Sequence, residues 1–270
     1  MRTLGIALLL TTLPAAVVAQ LPADNAGATA RLNASPRHGE WVRFDAGGGD
    51  SVRAWVVYPE RRDRAPVVVV IHEIFGLTDW IRGVADQLAA DGFIAIAPDL
   101  LSGKGPAGGG SESVDQQTAV RLIRELRGEE VSRRLTAAGT YAMRLPAALP
   151  RVATLGFCWG GSASFTMASS AWRELRSAVV FYGSSPDSAL LRQVAVPVLG
   201  LYGSDDARVN ATIDRARAIM GAMGRRYEVE IYEGAGHGFL RDQPGREGAN
   251  RRASEAAWPR AVRFLRETLR

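Results

Sequence analysis

Cysteine, histidine and lysine are all scarce in this chain of 270 residues. Cys158 is the only cysteine, so no disulfide can form within the chain and the small disulfide-stabilised folds are excluded. Lys104 is the only lysine, and arginine supplies the other basic residues. The arginines are scattered among acidic residues rather than gathered in one block, and the formal charge is +5. This pattern is typical of a mixed, solvated surface and argues against a nucleic-acid partner.

Long apolar runs are also absent after the N-terminus, so we expect no membrane span in the processed protein. The N-terminus has the order of a secretory signal peptide: Arg2, an apolar run over 4–13 and small residues up to Ala19. We therefore expect residues 1–19 to be removed and the protein to be exported. Its arginine-dominated composition favours a bacterial source, in which export means the periplasm or full secretion.

The rest of the chain predicts one domain. Residues 20–40 are rich in Ala, Asn, Pro and Gly without a clear period, which predicts an N-terminal linker. Over residues 41–270, strand-like and helix-like segments alternate with no break in composition. The run Val67–Ile71 is continuously β-branched, as in strands buried on both faces. We expect a single α/β domain with a mostly parallel central sheet and helices on both faces.

One turn carries a candidate nucleophile. A predicted strand over 152–155 runs into the hexapeptide GFCWGG at 156–161, and a helix is expected from Ser162. This is the glycine–x–nucleophile–x–glycine turn, with Cys158 at the nucleophile position. Such a turn presents its central side chain at the edge of a sheet and at a helix N-terminus, where a thiolate is favoured. The alternative is an inert cysteine buried in a glycine-rich turn.

A nucleophile of this kind requires an acid and a histidine later in the chain. His237 is the only histidine beyond Cys158, and it lies between glycines after a predicted strand. Two acids, Asp205 and Asp206, also follow a predicted strand. We favour Asp206, which stands three residues after Gly203, and Asp205 stays open as the alternative.

Five segments together resemble the dienelactone hydrolase family. They occur in the family's order over about residues 50–270: VIHEIFG at 70–76, APDL at 97–100, GFCWGG at 156–161, GSDD at 203–206 and GHGF at 236–239. The resemblance implies an α/β-hydrolase fold with Cys158 as nucleophile, Asp206 as acid and His237 as base. It also implies hydrolysis of an ester or lactone, as by a dienelactone hydrolase or carboxymethylenebutenolidase.

The same resemblance implies roles for further positions. Glu73 matches a family glutamate that holds the cysteine as a neutral thiol until substrate displaces it. Arg241 matches an arginine that binds a substrate carboxylate, whereas a second family arginine has no counterpart in these motifs. The backbone N–H groups of Trp159 and Ile74 would form the oxyanion hole.

No cofactor or metal site is expected, because the His72-Glu73 pair lacks the second histidine of a zinc motif. The expected partner is a small ester or lactone, and a monomer is favoured. Two alternatives stay open: a general carboxylesterase or thioesterase on the same fold, and a non-catalytic secreted binding protein. Export puts a dienelactone in doubt as the natural substrate, because the family resemblance implies an intracellular role for that compound.

Overall fold

The computed structural model describes residues 20–270. The predicted signal peptide, residues 1–19, lies outside them, so its removal and export stay predictions. The described residues form eight strands: β1 Gly39–Asp45, β2 Ser51–Val57, β3 Ala65–Ile71, β4 Ile94–Pro98, β5 Ala148–Phe157, β6 Leu175–Phe181, β7 Val198–Asp205 and β8 Tyr227–Gly236. The same residues form nine α-helices: α1 Ala28–Asn33, α2 Asp79–Ala90, α3 Gln116–Glu125, α4 Gly128–Met143, α5 Trp159–Met167, α6 Ser188–Leu191, α7 Ala207–Asn210, α8 Ile213–Ala222 and α9 Ala249–Thr268.

All eight strands join one sheet in the order β1-β2-β4-β3-β5-β6-β7-β8. The pairs β1–β2 and β2–β4 are antiparallel, and the remaining pairs, from β4–β3 to β7–β8, are parallel. The β-branched run Val67–Ile71 in β3 is completely buried, because helices cover both faces of the sheet. The predicted single α/β domain with a mostly parallel sheet is confirmed.

Helices α2 and α9 cover one face of the sheet, and α4, α5 and α8 cover the other. On the first face the rings of Trp80 and Phe157 meet edge to face with centroids 4.9 Å apart. This contact fixes α2 against the end of β5, the strand that leads to Cys158. Within residues 20–270, no helix is long and apolar enough to cross a membrane.

The carboxyl ends of the parallel strands meet at one edge of the sheet, where open α/β folds place their ligands. Helix α5 begins at Trp159, three residues before the predicted start at Ser162, so Cys158 is its N-cap residue. Strand β8 runs to Gly236, so His237 follows the strand directly. Both side chains therefore stand directly at the ends of their strands.

The N-terminal segment differs from the predicted linker, because it packs on the domain and contains the short helix α1. The Trp80 indole N–H donates to the Ala23 carbonyl at 3.1 Å, and the buried Gln243 side chain donates to the Pro22 carbonyl at 2.9 Å. These contacts bind residues 20–40 to α2 and to the loop after β8. Six helical residues are too few to show a period in the sequence.

Candidate active site

Cys158 stands between β5 and α5 with φ +55° and ψ −118°, a conformation that few residues except glycine adopt. Two hydrogen bonds of 3.1 Å hold the turn, from the Cys158 N–H to the Phe181 carbonyl and from the Ser162 N–H to the Cys158 carbonyl. A Cβ on Gly160 would collide with the His72 carbonyl oxygen. Close backbone packing therefore requires glycine in this turn, and the thiol is left half-buried at the edge of the sheet.

Asp206 and His237 lie against each other across the ends of β7 and β8. His237 Nδ1 is 2.6 Å from Asp206 Oδ2, and the Asp206 side chain is almost completely buried. Asp205, the alternative acid, is mostly exposed and pairs with Arg246 instead. The structure thus brings Asp206, and not Asp205, to the histidine. A carboxylate at Nδ1 holds a proton there, so Nε2 is the nitrogen that can exchange a proton with a reactant.

The electrostatics of His237 depend on both neighbours. Burial would lower the pKa of His237, but the hydrogen bond to Asp206, the interaction with the Cys158 thiol and the charges of both groups raise that pKa to about 9. The imidazolium is therefore the dominant form at neutral pH. A cation beside a thiol favours the thiolate, which is the nucleophilic form of cysteine.

Glu73 follows β3 and forms an ion pair with Arg241. Arg241 Nε lies 2.9 Å from Glu73 Oε2, although its N–H is not aligned on an acceptor, and the guanidinium lies over the Phe75 ring. Burial raises the pKa of Glu73 to about 7, against the opposing charges of Arg241 and His237. The sequence did not predict this pair: Glu73 is held by the residue expected to bind a substrate carboxylate.

The backbone N–H groups of Ile74 and Trp159 are the candidates for an oxyanion hole. Ile74 lies in the turn after β3, Trp159 is the first residue of α5, and both side chains pack against the small buried cluster of Leu101, Ala119 and Ile123. Within residues 20–270, neither N–H donates to a carbonyl oxygen or to a side chain. N–H groups in the first turn of a helix have no acceptor in the helix and attract negative charge. The Trp159 N–H can therefore stabilise an anion that develops beside Cys158.

A family model of the dienelactone hydrolase family matches residues 52–269. The chain belongs to this family. A predicted carboxymethylenebutenolidase of Salmonella typhimurium is 30% identical over 230 residues, covering 80% of this chain and 83% of the relative. A predicted dienelactone hydrolase of Klebsiella pneumoniae, known from a crystal structure, superposes with a TM-score of 0.74 at 26% identity, covering 86% of this chain and 99% of that one. The dienelactone hydrolase of Anabaena variabilis shares the fold, with a TM-score of 0.64 at 21% identity over 87% of this chain and 99% of that one.

Tyr182 is a neighbour of the site that the family motifs did not indicate. It follows β6 with φ +41°, it is completely buried, and its ring meets the His237 ring with centroids 5.2 Å apart. Its hydroxyl has no hydrogen-bond partner among the described residues. Burial, followed by the charges of Glu73 and Cys158, raises the pKa of Tyr182 well above its usual value. Its position at the carboxyl end of a parallel strand is the sequence signal that could have identified it.

A pocket of about 270 Å³ opens beside Arg241. It is lined by Asn25, Phe75, Leu77, Thr78, Ser111, Val114, Asp115, Gln116, Ala119 and Arg241. Arg241 lines this pocket and also pairs with Glu73. A ligand that binds the Arg241 guanidinium would therefore affect its ion pair with Glu73. In this member of the dienelactone hydrolase family, the N-terminal segment supplies part of the wall through Asn25.

Proposed function

We propose that this protein hydrolyses a carboxylic ester or lactone by covalent catalysis. Cys158 is the nucleophile, His237 is the acid and base, and Asp206 orients His237. The observation that carries the proposal is one juxtaposition. The half-buried Cys158 thiol stands in a strained turn beside the His237 imidazole. Together with the buried Asp206 carboxylate, this thiol raises the pKa of His237 to about 9.

Acylation begins from the thiolate and the imidazolium. Cys158 Sγ attacks the carbonyl carbon, and the displaced electron pair moves to the carbonyl oxygen, which the N–H groups of Trp159 and Ile74 stabilise. When this intermediate collapses, the C–O bond to the leaving group breaks and His237 gives its Nε2 proton to the departing alkoxide. The result is a thioester on Cys158, a free alcohol and a neutral His237.

Deacylation uses the same histidine as a base. Formation of the thioester removes the charge of Cys158, which is one of the interactions that raise the pKa of His237. The ring can then take a proton from water as the water attacks the thioester carbonyl. Collapse releases the carboxylic acid and restores the thiolate and the imidazolium.

Arg241 supports a substrate with a carboxylate near its ester bond. A carboxylate in the pocket would compete with Glu73 for the guanidinium. The buried Glu73 would then lose its counter-charge, so its pKa would rise further and it would bind a proton more readily. The carboxymethylenebutenolidase name of the relatives supports a lactone of this kind.

The test is hydrolysis of a panel of lactones and small esters, each with and without a carboxylate. We expect turnover by the wild type and none by Cys158→Ala, with the folded state intact by circular dichroism. Arg241→Ala should lower kcat/KM for the carboxylate-bearing esters about 10- to 100-fold more than for the neutral ones, as expected for loss of a hydrogen bond to a charged group. Arg246→Ala, which removes an exposed guanidinium paired with Asp205, is the matched control.

Each part of the proposal has its own contrary result. Undiminished hydrolysis by Cys158→Ala would overturn the nucleophile. Equal losses on both ester classes in Arg241→Ala would overturn the carboxylate site, and a wild type without carboxylate preference would favour a general carboxylesterase or thioesterase. Failure of the wild type on every ester would favour a non-catalytic binding protein.

A further inference from the structure

His72 is a completely buried histidine for which the proposed mechanism has no use. Its Nδ1 lies 2.7 Å from the Glu73 carbonyl oxygen, and its Nε2 lies 3.2 Å from the Leu100 N–H. A carbonyl can only accept and an N–H can only donate, so the proton is on Nδ1 and the lone pair is on Nε2. Burial lowers the pKa of His72, which keeps this neutral form in place at physiological pH.

Through these contacts His72 joins three elements of the sheet edge. It follows β3, it accepts a hydrogen bond from the segment after β4, and its ring stacks on the Trp159 ring at the start of α5, 5.9 Å between centroids and 18° between planes. The backbone of the turn packs on the same residue, because a Cβ on Gly160 would strike the His72 carbonyl oxygen.

The hydrogen bond from His72 to the Glu73 carbonyl also determines where the Ile74 N–H points. The carbonyl of Glu73 and the N–H of Ile74 belong to one planar trans peptide, in which the two groups point to opposite sides. The Glu73 carbonyl is held by the His72 ring and, at 3.3 Å, by the Gly76 N–H. The Ile74 N–H is therefore aimed away from His72, and within residues 20–270 it has no acceptor.

We propose that His72 is the positioning residue of the oxyanion hole: its Nδ1–H fixes the Glu73–Ile74 peptide, and its ring supports Trp159. This inference rests on the proposed ester hydrolysis. His72 touches no reacting atom and acts only through the two N–H groups. Its loss should therefore slow steps in which a carbonyl oxygen becomes an anion, and leave other reactions of the Cys158 thiolate unchanged.

Asparagine and leucine have side chains of nearly equal shape, so comparing these two substitutions at His72 isolates the hydrogen bond to the Glu73 carbonyl. His72→Asn places an amide N–H near the position of Nδ1, His72→Leu has no donor there, and both lose the acceptor for the Leu100 N–H. Two rates are measured on each: acylation by an activated aryl ester, and alkylation of Cys158 by iodoacetamide, a displacement at a saturated carbon that forms no oxyanion.

We expect His72→Leu to lower the acylation rate about 10²- to 10³-fold, the cost of losing one oxyanion donor, with an unchanged alkylation rate and little change in KM. His72→Asn loses the ring on Trp159, as His72→Leu does, but keeps the donor, so its acylation rate should fall less than that of His72→Leu. If His72→Leu does not fold, His72→Phe keeps the ring on Trp159 and serves as the variant without a donor.

Three results would contradict the inference. If His72→Leu, which has no donor, kept the wild-type acylation rate, the Glu73–Ile74 peptide would not need the hydrogen bond from His72. Equal losses of acylation and alkylation would show a general structural role for His72, as would equal defects in His72→Asn and His72→Leu. Absence of ester acylation in the wild type would overturn the proposed function, and this inference with it.

Discussion

At the scale of single residues, the site depends on how two neighbours act on one imidazole. Asp206 and Cys158 together raise the pKa of His237 above the value that burial would give it. This upward shift keeps a proton on His237 through neutral pH, where the proposed reaction needs a general acid for the leaving alkoxide. The proton is lost as the pH rises through about 9, so activity should fall there.

The Asp206→Asn variant tests this electrostatic account. Asp206 raises the pKa of His237, so removing its charge lowers that pKa and should move the alkaline limb of kcat/KM, near pH 9 in the wild type, toward lower pH. Asp205→Asn is the control, because Asp205 pairs with Arg246 and should leave the limb in place. The assignment of Asp206 as the acid would be contradicted if Asp206→Asn left the alkaline limb of kcat/KM in place. It would also be contradicted if Asp205→Asn moved that limb.

Tyr182→Phe should stabilise the fold. The buried hydroxyl of Tyr182 has no partner among the described residues, and a buried polar group without a hydrogen bond costs stability. We expect the free energy of unfolding in urea to rise by about 1 kcal/mol. A decrease of similar size in the free energy of unfolding would mean that the Tyr182 hydroxyl has a hydrogen-bond partner in solution.

The sequence predicted individual site residues best where a strand-end motif restricts the backbone. Cys158 and His237 follow from such motifs, and Asp206 was the preferred acid. The pair of Glu73 and Arg241 was not predicted, because a partner reached through a long side chain depends on the conformation of two loops. Tyr182 was missed because no motif marks it.

At the scale of elements, the turn of Cys158 is held in place by the end of β3. Gly160 lies in the first turn of α5, against the carbonyl oxygens of Ile71 and His72. A side chain there would push α5 away from the sheet and move both the thiol and the Trp159 N–H. The glycines of the motif are therefore needed for contact between elements, as well as for the strained turn itself.

Gly160→Ala should destabilise the protein by about 1–3 kcal/mol, the range for overpacking, and lower ester turnover. The control is Gly221→Ala in α8, where a Cβ meets nothing within 4 Å. Alanine in an exposed helix should stabilise that variant by about 0.5–1 kcal/mol without a change in turnover. Urea unfolding and ester hydrolysis give both quantities, and a Gly160→Ala variant that behaves like Gly221→Ala would refute the packing argument.

Element types were predictable because the buried strands and the helices have different periods, whereas some element ends were not. The sequence predicts the start of α5 at Ser162, after the glycine-rich turn. The structure starts the helix at Trp159, where packing against β3 outweighs the weak helix propensity of glycine.

At the scale of the whole molecule, residues 20–40 belong to the fold. Arg37 and Asp86 form an almost completely buried ion pair of 2.6 Å that joins this segment to α2. The segment also reaches the loop of Arg241, where the Asn25 N–H donates to the Arg241 carbonyl at 2.9 Å. The prediction of a linker failed here, because tertiary contacts rather than local propensity order this segment.

Arg37→Ala should lower the free energy of unfolding by about 3 kcal/mol, because it leaves the Asp86 carboxylate buried without its cation. Arg121→Ala is the control, since its pair with Glu125 is exposed on both sides and should cost less than about 0.5 kcal/mol. If urea unfolding showed equal, small losses of unfolding free energy in Arg37→Ala and Arg121→Ala, residues 20–40 would not stabilise the domain.

The central claim is that a thioester forms on Cys158. The most direct measurement is mass spectrometry of the protein after it is mixed with an activated ester and quenched in acid during turnover. The account predicts one acyl group on the peptide that contains Cys158, absent from Cys158→Ala. Product release with no acylated peptide, or an acyl group on another residue, would contradict it.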